Sequence, residues 1–126
     1  MKALIVDDDV FCLNVTSEYF KYKGFDVTAR LRPSCSALEQ ELESCSIDGP
    51  CFDIVVSDNR MPGMTGLEFF ELIDKKKCYV PVSCKALLTG DLTQDEFNKA
   101  VERGYKVFQK PCSLELLDLW LKEVLG

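Results

Sequence analysis

The sequence has 126 residues, 47% of them hydrophobic and 29% charged, and a formal net charge of −6 at pH 7. This length favours one globular domain, residues 1–126, and the excess of acidic residues argues against a surface that binds a nucleic-acid backbone. The apolar runs are too short to span a bilayer and no secretory signal pattern opens the chain, so we expect a cytoplasmic protein without direct membrane contact.

Short apolar runs and amphipathic segments alternate along the chain. The predicted strands are 2–6, 25–29, 54–57 (ending at Asp58), 84–88 and 105–109. The predicted helices alternate with them: one from Val10 to Gly24, one opening at Pro33-Ser34, one from Thr65 to Lys77, one from Thr93 to Gly104 and one capped by Ser113. This alternation implies right-handed crossovers. The sequence therefore predicts an α/β fold, a doubly wound five-stranded parallel sheet with five helices on its two faces.

Local signals mark the ends of several predicted helices. Gly24 and Gly104 follow helical segments, where glycine accepts the left-handed conformation that closes a helix. Thr93, followed three residues later by Glu96, is typical of a capping box at a helix start. In the last helix Leu116 and Trp120 lie off the main apolar stripe, so they are either the edge of the core or part of a partner surface.

Seven cysteines are spread over the chain, and histidine is absent. No spacing matches the CxxC pairs of a zinc site, and an odd count without a secretory signal favours reduced thiols over a disulfide framework. Cys12, Cys51 and Cys84 lie in apolar runs, so we expect them in the core. Cys35 and Cys45 flank a helical segment and could be exposed.

Polar side chains stand at the ends of four predicted strands: Asp7 with Asp8, Asp58, Thr89 and Lys110. Open α/β folds bind ligands at the carboxyl ends of their strands, so we expect these residues to share one pocket. Three neighbouring carboxylates cannot all stay ionised without a cation, and an all-oxygen cluster suits Mg²⁺ before Ca²⁺. A hydroxyl and an ammonium beside them supply the donor and the charge that a phosphoryl group needs, with Asp58 as the nucleophile.

The order of these motifs resembles the response-regulator receiver domain, the phosphoacceptor module of two-component signalling. The resemblance rests on Asp7-Asp8, on Asp58 within Ser-Asp-x-x-Met-Pro-Gly-Met-x-Gly, on Thr89-Gly90 and on Lys110-Pro111, and it covers the chain from Met1 to Gly126. It implies a flavodoxin-like sheet with strand order 2-1-3-4-5. It also implies a cis peptide bond at Lys110-Pro111.

The resemblance implies a role for each pocket residue. Asp58 matches the phosphoacceptor, while Thr89 would hydrogen-bond to a phosphoryl oxygen and Lys110 would pair with it. The Mg²⁺ ligands would be Asp8 and Asp58 through their side chains, Arg60 through its backbone carbonyl and Asp7 through water. The side chains of Arg60 and Asp91 are expected to overhang the mouth of the pocket as an ion pair and to screen the acyl phosphate from water.

The family is a signalling module rather than an enzyme, and it accepts its phosphoryl group from a partner's phosphohistidine. Because this chain has no histidine, we expect a sensor histidine kinase or a histidine phosphotransfer protein as the partner. The output face would be the fourth predicted helix, the fifth strand and the fifth predicted helix, where Phe97, Tyr105 and Trp120 could meet a partner or a second copy in a homodimer. Val107 stands where the family usually has its switch aromatic.

Two other interpretations stay open at this stage. Asp7-Asp8-Asp9 formally supplies the Asp-x-Asp of a haloacid dehalogenase-type hydrolase with Asp7 as the nucleophile, although the expected Gly-Thr is missing and the chain leaves little room for a cap. A pseudo-receiver would keep the fold as a docking module without being phosphorylated, but all five pocket residues are retained.

Overall fold

The computed structural model describes residues 1–32, 52–75, 80–111 and 113–125. Its strands are β1 (Lys2–Val6), β2 (Asp26–Arg30), β3 (Ile54–Ser57), β4 (Lys85–Thr89) and β5 (Lys106–Gln109). Its helices are α1 (Val10–Tyr22), α2 (Gly66–Lys75), α3 (Gln94–Glu102) and α4 (Leu114–Leu125), with a short 3-10 helix at Val82–Cys84. The predicted strands are correct to within one residue at each end.

The described residues contain four α-helices, whereas five were predicted. The helix predicted to open at Pro33-Ser34 lies outside the described residues, as do Cys35, Cys45 and Cys51. The predicted ends of the other helices are confirmed where glycine closes them, because Gly24 and Gly104 both have positive φ values, 93° and 87°. The capping box at Thr93 and Glu96 is present as well.

The five strands form one parallel sheet in the order β2-β1-β3-β4-β5, as the resemblance implied. In its register Val6 of β1 pairs with Ser57 of β3, and Ser57 pairs with Leu87 of β4. At the far side of the sheet Thr89 of β4 pairs with Gln109 of β5. The carboxyl ends of β1, β3, β4 and β5 therefore lie along one edge of the sheet.

The core lies on both faces of the central strands, where β1, β3 and β4 are almost entirely buried except for Lys2. Two aromatic contacts extend the core to β5 and α4. The ring centroids of Tyr105 and Phe70 lie 4.9 Å apart, and those of Phe108 and Trp120 lie 5.6 Å apart. Both side chains are buried, so the alternative that places Trp120 in the core holds, and neither Tyr105 nor Trp120 is exposed for a partner on the predicted output face.

Trp120 is buried although it lies off the stripe that was predicted for the last helix. It lies three positions after Leu117, which places the two side chains on the same helix face, and its indole Nε1 donates to the carbonyl of Ser83 at 3.1 Å. Leu116 is exposed instead. Among the cysteines, Cys84 is buried as predicted, whereas Cys12 is only partly buried.

A fully buried lysine was not predicted from the sequence. Lys85 begins β4, and its ammonium forms an ion pair with Asp74 at the end of α2. The hydroxyl of Tyr105 lies 3.5 Å from the other carboxylate oxygen of Asp74. The pair therefore ties α2 to the start of β4, at the edge of the sheet opposite to the one that carries Asp58.

In the described part of the chain, the helices are too short or too polar to cross a membrane.

Candidate functional site

Asp7 and Asp58 are held at the carboxyl edge of the sheet by extensions of the strand ladders. The backbone N–H of Asp58 donates to the carbonyl of Val6 at 2.9 Å, and that of Asp7 donates to the carbonyl of Arg30 at 3.1 Å. Each aspartate is thus fixed one position beyond the end of its strand. Both are nearly buried, with 2% of Asp7 and 6% of Asp58 exposed.

Three carboxylates meet at this edge. One oxygen each from Asp7, Asp8 and Asp58 lies within 4.8 Å of the other two, and Asp8 is exposed to solvent. The pKa of Asp8 is raised by partial burial first, and then by its hydrogen bond to Asp58 and by the charge of Asp58. The cluster therefore carries the like-charge conflict that a bound cation relieves.

Lys110 supplies one positive charge to this cluster. Its Nζ atom lies 2.9 Å from Oδ2 of Asp7 and 3.4 Å from Oδ2 of Asp58. Burial lowers the pKa of Lys110, but the hydrogen bond to Asp7 and the charges of Asp7 and Asp58 outweigh it, so the net pKa is raised and the ammonium is charged at neutral pH. The backbone N–H of Lys110 donates to the carbonyl of Thr89 at 3.0 Å, which extends the ladder between β4 and β5. The peptide bond to Pro111 is cis, as the resemblance implied.

The donor set fits a hard divalent cation. Three carboxylates converge without a histidine or thiolate among them, and one of the three faces solvent. Asp9 does not belong to this group. Its side chain accepts the backbone N–H groups of Phe11 and Cys12 at 3.0 and 3.3 Å, which makes it the N-cap of α1. The backbone N–H of Asp9 donates to Oδ1 of Asp7 at 2.9 Å and so helps to orient that carboxylate.

Thr89 ends β4 at the same edge and is buried. Its hydroxyl accepts the backbone N–H of Asp91 at 3.2 Å and donates to the carbonyl of Asp91 at 3.1 Å. The threonine side chain is therefore held by the loop that leads from β4 to α3. Any movement of that hydroxyl toward a ligand in the pocket must release these two contacts.

Arg60 forms the predicted ion pair with Asp91 and also a closer one that was not predicted. Its Nε atom lies 3.6 Å from Oδ2 of Asp91, while Nη2 lies 2.7 Å from Oε1 of Glu96. Burial raises the pKa of Glu96, but hydrogen bonds from Asn59 and Thr93 and the charge of Arg60 outweigh it, so the net pKa is lowered. The guanidinium is thus anchored mainly to the first turn of α3.

Asn59 makes a second contact with Glu96 that was not predicted from the sequence. It is fully buried, its Nδ2 atom donates to Oε2 of Glu96 at 2.6 Å, and its Oδ1 atom accepts the backbone N–H of Leu67 at 3.4 Å. The sequence identified Glu96 only as half of a capping box. Nothing local to Asn59 indicates a partner, because Glu96 lies 37 positions away.

Gly66 allows α2 to begin directly against the backbone of Asp58. A Cβ atom at Gly66 would lie 2.6 Å from the carbonyl oxygen of Asp58 and 2.6 Å from Cδ2 of Leu87, so only glycine fits. The N–H of Gly66 donates to the carbonyl of Asn59 at 3.0 Å. The glycine therefore sets how closely the helix approaches the residue at the centre of the pocket.

Comparison with known proteins identifies the family of this chain. Residues 3–122 match the sequence family described as "Response regulator receiver domain". The chain is 30% identical over 124 residues to the two-component response regulator ORR21 of Oryza sativa subsp. indica, a match that covers 95% of the chain but only 16% of that regulator. It is 28% identical over 127 residues to the chemotaxis protein CheY of Pseudomonas aeruginosa, covering 98% of the chain and 95% of that protein.

Solved structures show the same fold. A DNA-binding response regulator of the LuxR family from Staphylococcus aureus superposes with a TM-score of 0.76 at 25% identity, and the match covers 100% of both chains. The receiver domain of HemR from Leptospira biflexa superposes with a TM-score of 0.76 at 24% identity, covering 99% of this chain and 94% of that one.

Proposed function

The chain belongs to the response regulator receiver domain family, and from that premise we propose that it accepts a phosphoryl group on Asp58 in two-component or phosphorelay signalling. The observation that carries the proposal is the position of Lys110, whose ammonium lies 3.4 Å from Asp58 within a cluster of three carboxylates. The proposed module extends over residues 1–126 and works in the cytoplasm.

In the proposed reaction a carboxylate oxygen of Asp58 attacks the phosphorus of a phosphohistidine. The bond between phosphorus and the imidazole nitrogen breaks, and its electron pair returns to the imidazole, which leaves an acyl phosphate on Asp58. Hydrolysis by water later returns the carboxylate and releases inorganic phosphate. Lys110, whose ammonium lies 3.4 Å from Oδ2 of Asp58, would pair with one phosphoryl oxygen, and Thr89 would donate its hydroxyl to another once it leaves Asp91.

Mg²⁺ is the proposed cofactor. The side chains of Asp8 and Asp58 and the backbone carbonyl of Arg60 would hold it, and Asp7 would reach it through water. Bound there, Mg²⁺ supplies positive charge that offsets the charge of the transferring phosphoryl oxygens. Three converging carboxylate oxygens, one of them open to solvent, support this proposal.

The phosphohistidine donor lies outside these 126 residues, because they contain no histidine. A sensor histidine kinase or a histidine phosphotransfer protein is the proposed partner. The donor has to reach Asp58, so its surface must contact the rim of the pocket, where α1 begins. Phe11 is 75% exposed there, and it lines an open apolar groove of about 500 Å³ with Val15, Tyr22 and Leu114.

The proposed output face is α3, β5 and α4, through which the domain would meet a downstream partner or a second copy. Phe97 and Val101 of α3 are exposed on this part of the molecule. Phe97 also lines a groove of about 530 Å³, together with Gly90, Leu92 and Val107 among others. The groove connects the end of β4, at the pocket, with the outer side of α3.

The geometry gives less support to a hydrolase with Asp7 as nucleophile. Both carboxylate oxygens of Asp7 are engaged, one by Lys110 at 2.9 Å and one by the N–H of Asp9 at 2.9 Å. In an Asp-x-Asp motif Asp8 would be the variable middle residue, yet here it belongs to the same carboxylate cluster as Asp7.

The test is to incubate the chain with acetyl phosphate, with and without Mg²⁺, and to measure phosphorylation by intact mass spectrometry. We expect one phosphoryl group that requires Mg²⁺ and is absent from Asp58→Asn. Asp53→Asn is the matched control, since Asp53 lies at the other end of β3, where it accepts the N–H of Lys2 at 2.7 Å. Labelling of Asp58→Asn, or equal labelling in EDTA, would contradict the proposal.

A further inference from the structure

We infer that Glu96 is a positioning residue for this phosphorylation reaction: it holds the segment 58–60 against the amino end of α3 and couples the pocket to that helix. The inference rests on the proposed function, because it assigns Glu96 a role in the reaction at Asp58. Glu96 itself lies outside the cluster of carboxylates and touches neither Asp7 nor Asp8 in the described contacts.

Both carboxylate oxygens of Glu96 are used, and their partners come from two elements. Oε1 accepts the backbone N–H of Thr93 at 3.1 Å and Nη2 of Arg60 at 2.7 Å. Oε2 accepts Nδ2 of Asn59 at 2.6 Å. Only 18% of the side chain is exposed, so these charge-assisted hydrogen bonds are partly shielded from water.

Asn59 carries this contact on to a second helix. Its Oδ1 atom accepts the N–H of Leu67 at 3.4 Å, and its carbonyl accepts the N–H of Gly66 at 3.0 Å. The residue directly after the phosphoacceptor is therefore clamped between the amino ends of α2 and α3. Because Asn59 is fully buried, losing Glu96 would leave a buried amide donor without its partner.

A helix cap alone does not require this arrangement. The capping box needs Glu96 to accept one N–H, that of Thr93, and this contact would form without Asn59 or Arg60. The two additional bonds go to the residues that follow Asp58. A change in the segment 58–60 must therefore alter the first turn of α3, and by reciprocity a change in α3 must alter the pocket.

The chain offers a variant that separates the two roles. Thr93→Ala removes the hydroxyl that caps the N–H of Glu96 at 3.2 Å, but it keeps the backbone N–H of Thr93 and leaves the contacts of Glu96 to Asn59 and Arg60. Glu96→Ala removes those contacts. Both variants weaken the start of α3, so a purely structural role for Glu96 predicts the same phenotype for the two.

The first measurement is the rate of phosphorylation by acetyl phosphate with saturating Mg²⁺. We expect Glu96→Ala to be slower than wild type by about fivefold or more. The phosphorylation rate of Thr93→Ala should stay within about twofold of the wild-type rate. Glu96→Gln keeps the side-chain volume and one acceptor oxygen, so it should fall between them and serves as the test if Glu96→Ala does not fold. Equal rates for Glu96→Ala and Thr93→Ala would overturn the inference.

The second measurement is amide hydrogen exchange, which does not depend on phosphorylation. In the unmodified protein we expect faster exchange at 58–60 in Glu96→Ala and unchanged exchange there in Thr93→Ala. Adding beryllofluoride with Mg²⁺ should slow exchange at 93–97 in wild type but not in Glu96→Ala. If 58–60 exchanges alike in all three proteins, Glu96 is only a cap. If instead Asp58→Asn is phosphorylated to the same extent as wild type, the proposed function fails. The exchange at 58–60 still decides whether Glu96 couples this segment to α3.

Discussion

The ammonium of Lys110 lies 3.4 Å from Oδ2 of Asp58, although the strands that end at these two residues are not neighbours. β4 separates β3 from β5, so the lysine side chain reaches across the end of the intervening strand to the carboxylate. This places the lysine ammonium in contact with the proposed nucleophile.

Lys110→Met should lower the free energy of unfolding by about 1–3 kcal/mol, because two nearly buried carboxylates lose their shared cation. Part of this loss should be recovered on adding Mg²⁺, which returns positive charge to the cluster. Urea denaturation with and without Mg²⁺ measures both effects. Lys106→Met, which removes an exposed lysine from β5, the strand that ends just before Lys110, is the control. An unfolding midpoint of Lys110→Met equal to that of wild type would show that Lys110 does not stabilise the pocket.

Mg²⁺ should raise the melting temperature of the wild-type protein, since a ligand that binds only the folded state stabilises it by mass action. Asp8→Asn should weaken the Mg²⁺ affinity by at least about tenfold, because mutating even a residue that only hydrogen-bonds to a metal ligand commonly lowers metal affinity about tenfold or more. Asp9→Asn should keep the affinity, as asparagine caps a helix about as well as aspartate. Calorimetric titration with Mg²⁺ compares the three proteins, and equal affinities would exclude Asp8 as a ligand.

The acyl phosphate should be hydrolysed faster in Arg60→Ala, by up to about fivefold, because exposed ion pairs are worth about 0–1 kcal/mol. Asp91→Ala should have a smaller effect, since Arg60 remains bound to Glu96 at 2.7 Å after Asp91 is removed. Dephosphorylation is followed after removing the donor, with the exposed Asp95→Ala as control. Unchanged lifetimes in both variants would remove the proposed screening of the pocket mouth.

Val107→Ala should leave the conformational response to phosphorylation intact. Valine has little reach, and the two nearest aromatics on this strand segment, Tyr105 and Phe108, are committed to core contacts with Phe70 and Trp120. The response should therefore run through the backbone of the loop after Thr89. Chemical shifts of α3 and β5, or phosphorylation-dependent dimerisation, report it, with an expected coupling of about 1–3 kcal/mol. Loss of the response in a Val107→Ala protein that is still phosphorylated would make Val107 itself the switch.

Phe11→Ala should slow phosphotransfer from a phosphohistidine protein by about fivefold or more, since a central interface aromatic commonly contributes more than about 1 kcal/mol. Phosphorylation by acetyl phosphate should not change, because the small donor needs no protein contact. Comparing the two donors therefore separates docking from chemistry. The control is Val101→Ala, which removes an exposed apolar side chain from α3. Equal slowing with both donors would place the defect in the pocket rather than in docking.

What the sequence determined by itself is local in origin. The run at 54–57, with three β-branched residues, favours a short buried strand, and it carries Asp58 at its end. Gly104 and the capping box of Thr93 and Glu96 depend on residues within four positions of each other. The order of such short motifs supported the family resemblance, and the resemblance in turn implied the strand order that the sheet has. The shared pocket was predicted because parallel strands present their carboxyl ends along one edge.

Only the tertiary structure decided which distant side chains meet. Glu96 serves its own helix as a cap and also binds Asn59, 37 positions away, through the packing of α3 beside the loop after β3. Lys85 is buried inside a strand because Asp74 of α2 lies within reach of its ammonium, and Tyr105 and Trp120 are buried because their rings find partners on neighbouring elements. Periodicity indicates which face of an element is apolar. Burial and pairing also depend on how elements cross one another, which local sequence does not encode.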